Sequence, residues 1–418
     1  MLVSRKKLVL FSVVFALFFP TFNSLLGGSE GYANKGSIIL NCGIMLIAVV
    51  CLSGVRLDKT ITRFSIWFAS LFALLIGFST LFFSSEIIFR DLFELHRPVL
   101  YLLTFLLGVY YHSRFDEASL ERILLPSLLI ISCIAILQPF RVVDFFSLFY
   151  TETQNIITKR ATGTLLNPYD LGLLLSLLTF YSYSKLLHGS YKLINFFCFF
   201  CSILAVMMTQ SRTAVFSAIL GLLIISLFYM FFFYVFKKGT YKTSLNTFII
   251  LSVIVFLVFS LWSTISDNLV YLVQASIRLM DGNDTSANIR LGQVEKILTL
   301  KEDSFFYLLF GNGVSKSVMD IIENQYFLYF FRYGFFGLLL LIAVMSSFLI
   351  CSFNRLFNDL NTERVHFSMA IFVWSLIFFV ASFGNPFIDI IRIQFIYFFL
   401  FGYSLNFNRR EHETRNAK

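Results

Sequence analysis

The sequence predicts an all-α, polytopic integral membrane protein of about twelve transmembrane helices with a partly helical large outer loop. Three observations predict it. Of 418 residues, 58% are hydrophobic and only 14% charged, where a soluble domain carries about 25% charged residues. The apolar residues gather into long runs, and about 20 of them cross a bilayer as a helix. Lysine and arginine concentrate in alternate connecting segments. Because the runs are continuous and do not alternate, a transmembrane β-barrel is excluded.

In chain order the runs lie near 8–26, 37–55, 64–84, 98–111, 123–139, 169–187, 193–209, 213–236, 247–265, 333–353, 367–383 and 391–406. Those at 98–111 and 391–406 are short, so the count is open by one or two. The start, MLVSRKKLVLFSVVFALFFP, has the basic lead and apolar run of a signal peptide, but no A-x-A-like site follows at a suitable distance. It is expected to be an uncleaved first helix. The whole chain, 1–418, is read as a single transmembrane domain.

With the N-terminus inside, the inner segments MLVSRKK, VRLDKTITR, HSRFDEASLER, SKLLHGSYK, FKKGTYK, FNRLFNDLNTER and NRREHETRNAK hold 19 Lys or Arg against 8 acids. The rest of the chain holds 14 basic and 16 acidic residues. Short basic loops stay cytoplasmic, so both termini are expected there. The net charge of +9 is thus a topology signal, and no nucleic-acid partner is expected. Two outer segments, 140–168 and 266–322, are inserted between spans and are too long for simple turns. The second contains LGQVEKILTL, which reads as part of a helical cap.

The six cysteines all fall in or beside apolar runs. Cys198-x-x-Cys201 has metal-ligand spacing but no nearby histidine or carboxylate in the sequence, and no metal or redox role is expected. Asp281 and Asp284 make a D-x-x-D, too few oxygens for a hard cation. Neither metal nor cofactor is predicted.

The basic residues on the outer side carry the functional signal. Arg160 lies in KRATGTLLNPYDLG, Arg212 in TQSRTAVFSAILG and Arg290 in SANIRLGQ. A guanidinium is a rigid fork of donors that keeps its charge and suits phosphate or pyrophosphate; it also snorkels to lipid headgroups or pairs with an acid. Both readings stand for any one of them. In the stretch GNGVSKSVMDIIENQYFLYFFRYGFFG, Glu323 and Asn324 precede an apolar run. Glu323 reads as a general base or as the partner of one of the arginines; Asn324 reads as a ligand of a sugar hydroxyl or as a helix cap. Gly311 and Gly313 permit a tight turn or a close ligand approach. Arg332 is expected to anchor the outer interface among Tyr329 and Tyr333, and His96-Arg97 to lie on an interfacial amphipathic helix.

In order and spacing, KRATGTLLNPYDLG, TQSRTAVFSAILGLLI and LFGNGVSKSVMDIIENQYFLYFFRYGFFG resemble the signature regions of the O-antigen polymerase and ligase superfamily, over roughly residues 155–345. The resemblance implies a metal-independent membrane glycosyltransferase of GT-C-like architecture. Such an enzyme polymerises undecaprenyl-pyrophosphate-linked repeat units into O-antigen or a related surface polysaccharide at the periplasmic face of the bacterial inner membrane. Arg212, Arg290 and Glu323 would be catalytic. Arg160, Asn167, Ser211, Arg278, Gly311, Gly313 and Asn324 would bind substrate. Expected partners are undecaprenyl-pyrophosphate-linked glycans, membrane lipids, a chain-length regulator and a flippase. Glu323 stands where ligases carry a histidine, which favours polymerase over transfer to lipid A-core. The rival from another class is a lipid-linked oligosaccharide flippase, but its midplane site on paired repeats does not suit polar residues kept to one side.

Overall fold

The computed structural model describes residues 2–20, 35–55, 57–88, 91, 93–115, 117–140, 160–165, 167–188, 193–236, 285–302, 305–319 and 322–405. All regular elements among them are helical. In order they are α1 (Leu2–Phe18), α2 (Lys35–Leu52), α3 (Lys59–Phe83), α4 (Arg97–Arg114), α5 (Glu117–Leu137), α6 (Pro168–Leu187) and α7 (Leu193–Met208). Then come α8 (Arg212–Phe236), α9 (Thr285–Glu302), α10 (Phe305–Phe310), α11 (Gln325–Asp359), α12 (Val365–Ala381) and α13 (Ile391–Ser404). Three-residue or four-residue 3-10 turns cover Phe93–His96, Gln138–Phe140 and Phe387–Asp389.

Eleven of these helices coincide with eleven of the apolar runs; the run at 247–265 lies outside the described residues. Four helices, at Lys59–Phe83, Ala118–Leu137, Arg212–Phe231 and Gln325–Asp359, are long and apolar enough to cross a membrane. Those at Gly36–Leu52, Leu193–Met208 and Val365–Ala381 are shorter and apolar. Large apolar side chains face outward: Trp67 and Phe64 on α3 are 74% and 72% exposed. A soluble protein would not leave so wide an apolar surface in water, and these are the helices of a membrane-embedded protein.

Local chemistry sets where each helix begins. Asp58 accepts from the Thr60 and Ile61 amides to open α3. Pro98 and Pro168 occupy the first turns of α4 and α6, where a missing N–H costs nothing. Ser211 Oγ accepts from the Ala214 amide and caps α8.

Contacts then sort the helix ends into two groups. At the lower end, Arg5 near the start of α1 reaches the Ser53 carbonyl after α2, at 2.9 Å. There too Arg355 of α11 bonds the Tyr403 carbonyl of α13, and Ser184 of α6 meets His366 of α12. At the upper end, Ala161 donates to Met208, Arg97 to the Asp389 carbonyl and Asn324 to Phe383. Consecutive long helices therefore run antiparallel. The core is deepest along α6, α12 and α13; Trp374 is fully buried and donates to the Leu173 carbonyl. The outer-loop helix was expected at LGQVEKILTL and is present as α9, although of the side chains described there only Ile297 is buried.

Candidate functional site

The tenth run begins earlier than hydropathy suggests, because α11 starts at Gln325 and breaks at Gly334 (φ +62°, ψ −158°). The result is a short half-helix, Gln325–Tyr333, ahead of the long apolar one. Asn324 caps it, its Oδ1 accepting from the Tyr326 and Phe327 amides at 2.9 and 3.1 Å. The Asn324 amide nitrogen donates to the Phe383 carbonyl at 3.0 Å, tying the cap to the turn after α12.

The G-x-G works against the same break. A side-chain carbon at Gly311 would come within 2.3 Å of the Arg332 carbonyl oxygen, and one at Gly334 within 2.4 Å of the Leu309 carbonyl. The two segments thus cross backbone against backbone, with the Asn312 amide donating to Phe331 at 2.8 Å. Gly313 (φ +70°) sits against Ser84 Oγ and the Ser79 carbonyl at the end of α3. Both glycines are buried, and the close approach they permit is to the protein's own chain.

Glu323 lies just outside the half-helix. Its carboxylate pairs with Arg290 of α9 at 3.0 Å, with side-chain exposures of 36% and 27%. Its amide donates to Gln293 Oε1, one turn further along α9, at 3.1 Å. Of the two readings of Glu323, partner of an arginine and accessible acid, the geometry is compatible with both at once.

The other candidates lie on a neighbouring turn. The Arg160 guanidinium is buried, donating to the Thr209 carbonyl at 3.1 Å and lying over the Tyr169 ring at 4.9 Å. It fastens the stretch 160–162 to the tight turn Thr209–Ser211, where Gln210 takes a positive φ of 49°. Ser211 is fully buried as the α8 cap, and Asn167 is the cap position of α6, beside Asp170. Arg212 is the first residue of α8 and half-buried. A side-chain carbon at Gly384 would meet the Thr213 side chain at 2.9 Å. The 382–385 turn, which holds Asn324 on one side, therefore packs against the start of α8 on the other. This links the Arg212 turn to the Glu323–Arg290 pair. Arg278 lies outside the described residues.

One part of the upper end was not anticipated. Glu94, in the 3-10 turn before α4, is 2% exposed and is surrounded by cations: Arg97, Lys316 at 2.7 Å and Arg332 at 3.9 Å. Asp389 closes the cluster, 3.0 Å from Arg97 and 3.8 Å from Arg332. Arg332 is thus not an interfacial anchor; it is buried among carboxylates. Arg97 likewise belongs to a buried ion-pair network and not to an interfacial amphipathic helix. Burial pushes the Glu94 carboxyl up, but Arg97, Arg332 and Lys316 together outweigh it and hold it at about 2. Burial pushes Asp389 up, and Glu94 nearby adds to the effect. Tyr101 and Tyr329 line the cluster with their hydroxyls 3.4 Å apart. Charged side chains this close to apolar spans are costly, and that was the available signal for Glu94, Lys316 and Asp389.

No protein-family model and no curated protein matches the chain.

Proposed function

We propose that the protein is a membrane glycosyltransferase that polymerises undecaprenyl-pyrophosphate-linked oligosaccharide units into a surface polysaccharide, with its site at the upper end of the bundle facing the periplasm. The observation that carries the reading is the half-exposed Arg290–Glu323 pair, set beside the Arg212 turn by the 382–385 segment. A guanidinium and a carboxylate then lie at the same end of the bundle, an arrangement that suits glycosyl transfer from a pyrophosphate.

In the resting state Glu323 occupies the Arg290 guanidinium. A donor pyrophosphate carries more negative charge and competes for Arg290, aided by Arg212 at the positive N-terminal end of α8. Released from Arg290, the Glu323 carboxylate accepts the proton of an acceptor sugar hydroxyl. That oxygen attacks the anomeric carbon, and the bond from that carbon to the phosphate oxygen breaks. Undecaprenyl pyrophosphate leaves with the electron pair, and its growing charge is stabilised by the preorganised guanidinium groups. In this scheme Arg160, Ser211 and Asn324 act by fixing the two turns that present Arg212 and Glu323, while Asn167 sits at the start of the neighbouring α6.

The test is incubation of the purified protein with an undecaprenyl-pyrophosphate oligosaccharide pool, followed by separation of products by size. A ladder of repeat units that is lost in Arg212→Ala and Arg290→Ala supports the reading. Unchanged lipid-linked units in the wild type overturn it.

A further inference from the structure

Beside the buried charge cluster, a cleft of about 900 Å³, counting its open side, runs down the flank of the bundle between α3, α4, α11 and α13. Its walls are apolar and largely aromatic: Phe64 and Phe72 from α3, Tyr101 from α4, Tyr329 and Ala343 from α11, and Phe398 from α13. Phe72 lies 5.9 and 6.0 Å from the Tyr101 and Tyr329 rings, and Tyr101 stacks on Phe398 at 4.4 Å. The mouth opens sideways at Phe64, among the outward apolar residues of α3.

The upper end of the cleft is closed by Pro98 and Ile388, the immediate neighbours of Arg97 and Asp389. Here the charges are not evenly displayed. Glu94 is 2% exposed, whereas Arg97, Lys316 and Asp389 are 19%, 14% and 13% exposed, two cations to one carboxylate. Arg332 Nε is buried without a hydrogen-bond acceptor. Among the described residues three cations pair with two carboxylates, Glu94 binding all three, and a third carboxylate, Asp91, is fully buried and accepts from the Lys316 amide at 3.3 Å. An apolar, largely aromatic groove, open to the side and with its upper end one residue from the part-exposed Arg97, is complementary to a long hydrocarbon chain with an anionic head.

We infer that this cleft seats the isoprenoid tail of the acceptor lipid, with its pyrophosphate meeting Lys316 and Arg97. The inference rests on the proposed reaction, which joins two lipid-borne glycans and so needs a second lipid seat. Placement agrees with that need: Ile388 donates its amide to Gln325 Oε1 at 2.9 Å, and Gln325 directly follows Glu323 and Asn324. A glycan rising from the cleft emerges beside the carboxylate that takes its proton.

The experiment is photo-crosslinking of the full-length protein in detergent with a photoactivatable polyprenyl pyrophosphate, mapped by peptide mass. Crosslinks are expected on the peptides carrying Tyr101 and Ala343, competed by unlabelled polyprenyl pyrophosphate but not by neutral polyprenol or phosphatidylglycerol. Ala343→Trp, at an exposed position on the cleft wall, should cut labelling at least fivefold in a protein that still folds; Lys316→Ala should weaken it further. Equal competition by phosphatidylglycerol, or unchanged labelling in Ala343→Trp, overturns the inference. The size ladder separates the two proposals. Ladders that persist in Ala343→Trp refute the seat alone, and specific labelling without any ladder in the wild type refutes the polymerase reading alone.

Discussion

Replacing Glu323 with glutamine separates a structural partner from a chemical one. The Glu323–Arg290 pair is 3.0 Å long but 36% and 27% exposed, and pairs so placed contribute about 0.2–1 kcal/mol. Glutamine keeps the shape, and the backbone amide of residue 323 still donates to Gln293. The folded protein should therefore lose less than about 1 kcal/mol. A general base, by contrast, contributes about 10²–10⁴ in rate, which is about 3–5 kcal/mol of activation free energy. Stability and rate are thus expected to part company by a wide margin. Unfolding midpoints in detergent and single-round extension rates on lipid-linked oligosaccharide measure the two. The reversed pair, Arg290→Glu with Glu323→Arg, should recover the midpoint and remain inactive. If Glu323→Gln extends chains at the wild-type rate, the residue is only Arg290's partner and the proton goes elsewhere.

Other outcomes follow from the same geometry. Arg212→Ala and Arg290→Ala should abolish ladder formation while inserting normally, and lysine at either position should rescue in part because it lacks the two-pronged donor geometry; full rescue by lysine would argue for simple charge. Gly334→Ala places a side-chain carbon 2.4 Å from the Leu309 carbonyl at φ +62°, and strain plus clash should cost about 2–6 kcal/mol, read as lost folded yield. Asn324→Ala should cost about 0.5–2 kcal/mol through loss of the cap, while Asn324→Asp keeps the acceptor and most of that stability; equal losses would show that the Phe383 bond matters more. Glu94→Gln leaves the buried Arg332 and the part-buried Arg97 and Lys316 short of a carboxylate and should cost about 3–5 kcal/mol at neutral pH. Because the Glu94 carboxyl falls from an ordinary 4.5 to about 2 on folding, its contribution is complete above about pH 4.5 and fades as the pH drops toward 2. The stability gap between wild type and Glu94→Gln should close over that window in unfolding titrations, and a gap independent of pH would refute the assignment.

Much of the molecule was legible in the sequence because hydrophobic run length is a local property. Each apolar run that falls among the described residues is a helix, and alternating basic segments anticipated which helix ends gather together. The break at Gly334 was less legible, since hydropathy averages across a kink that one glycine produces. The reading of Arg332 failed for another reason: its neighbours Tyr329 and Tyr333 suit an interface, but the carboxylates it meets, Glu94 and Asp389, lie far off along the chain.

What composition and pattern determined by themselves was the class of protein, its helices and the residues worth suspecting. Partnership was decided by tertiary structure. Arg97 meets Asp389 across 292 positions of chain, and Ser315 meets Ser84 across 231. No periodicity encodes such pairs; they arise when helix ends are brought level by antiparallel packing. Burial then fixes the charges that arrive there, because a carboxylate taken out of water is tolerable only where guanidinium and ammonium groups from other helices reach it.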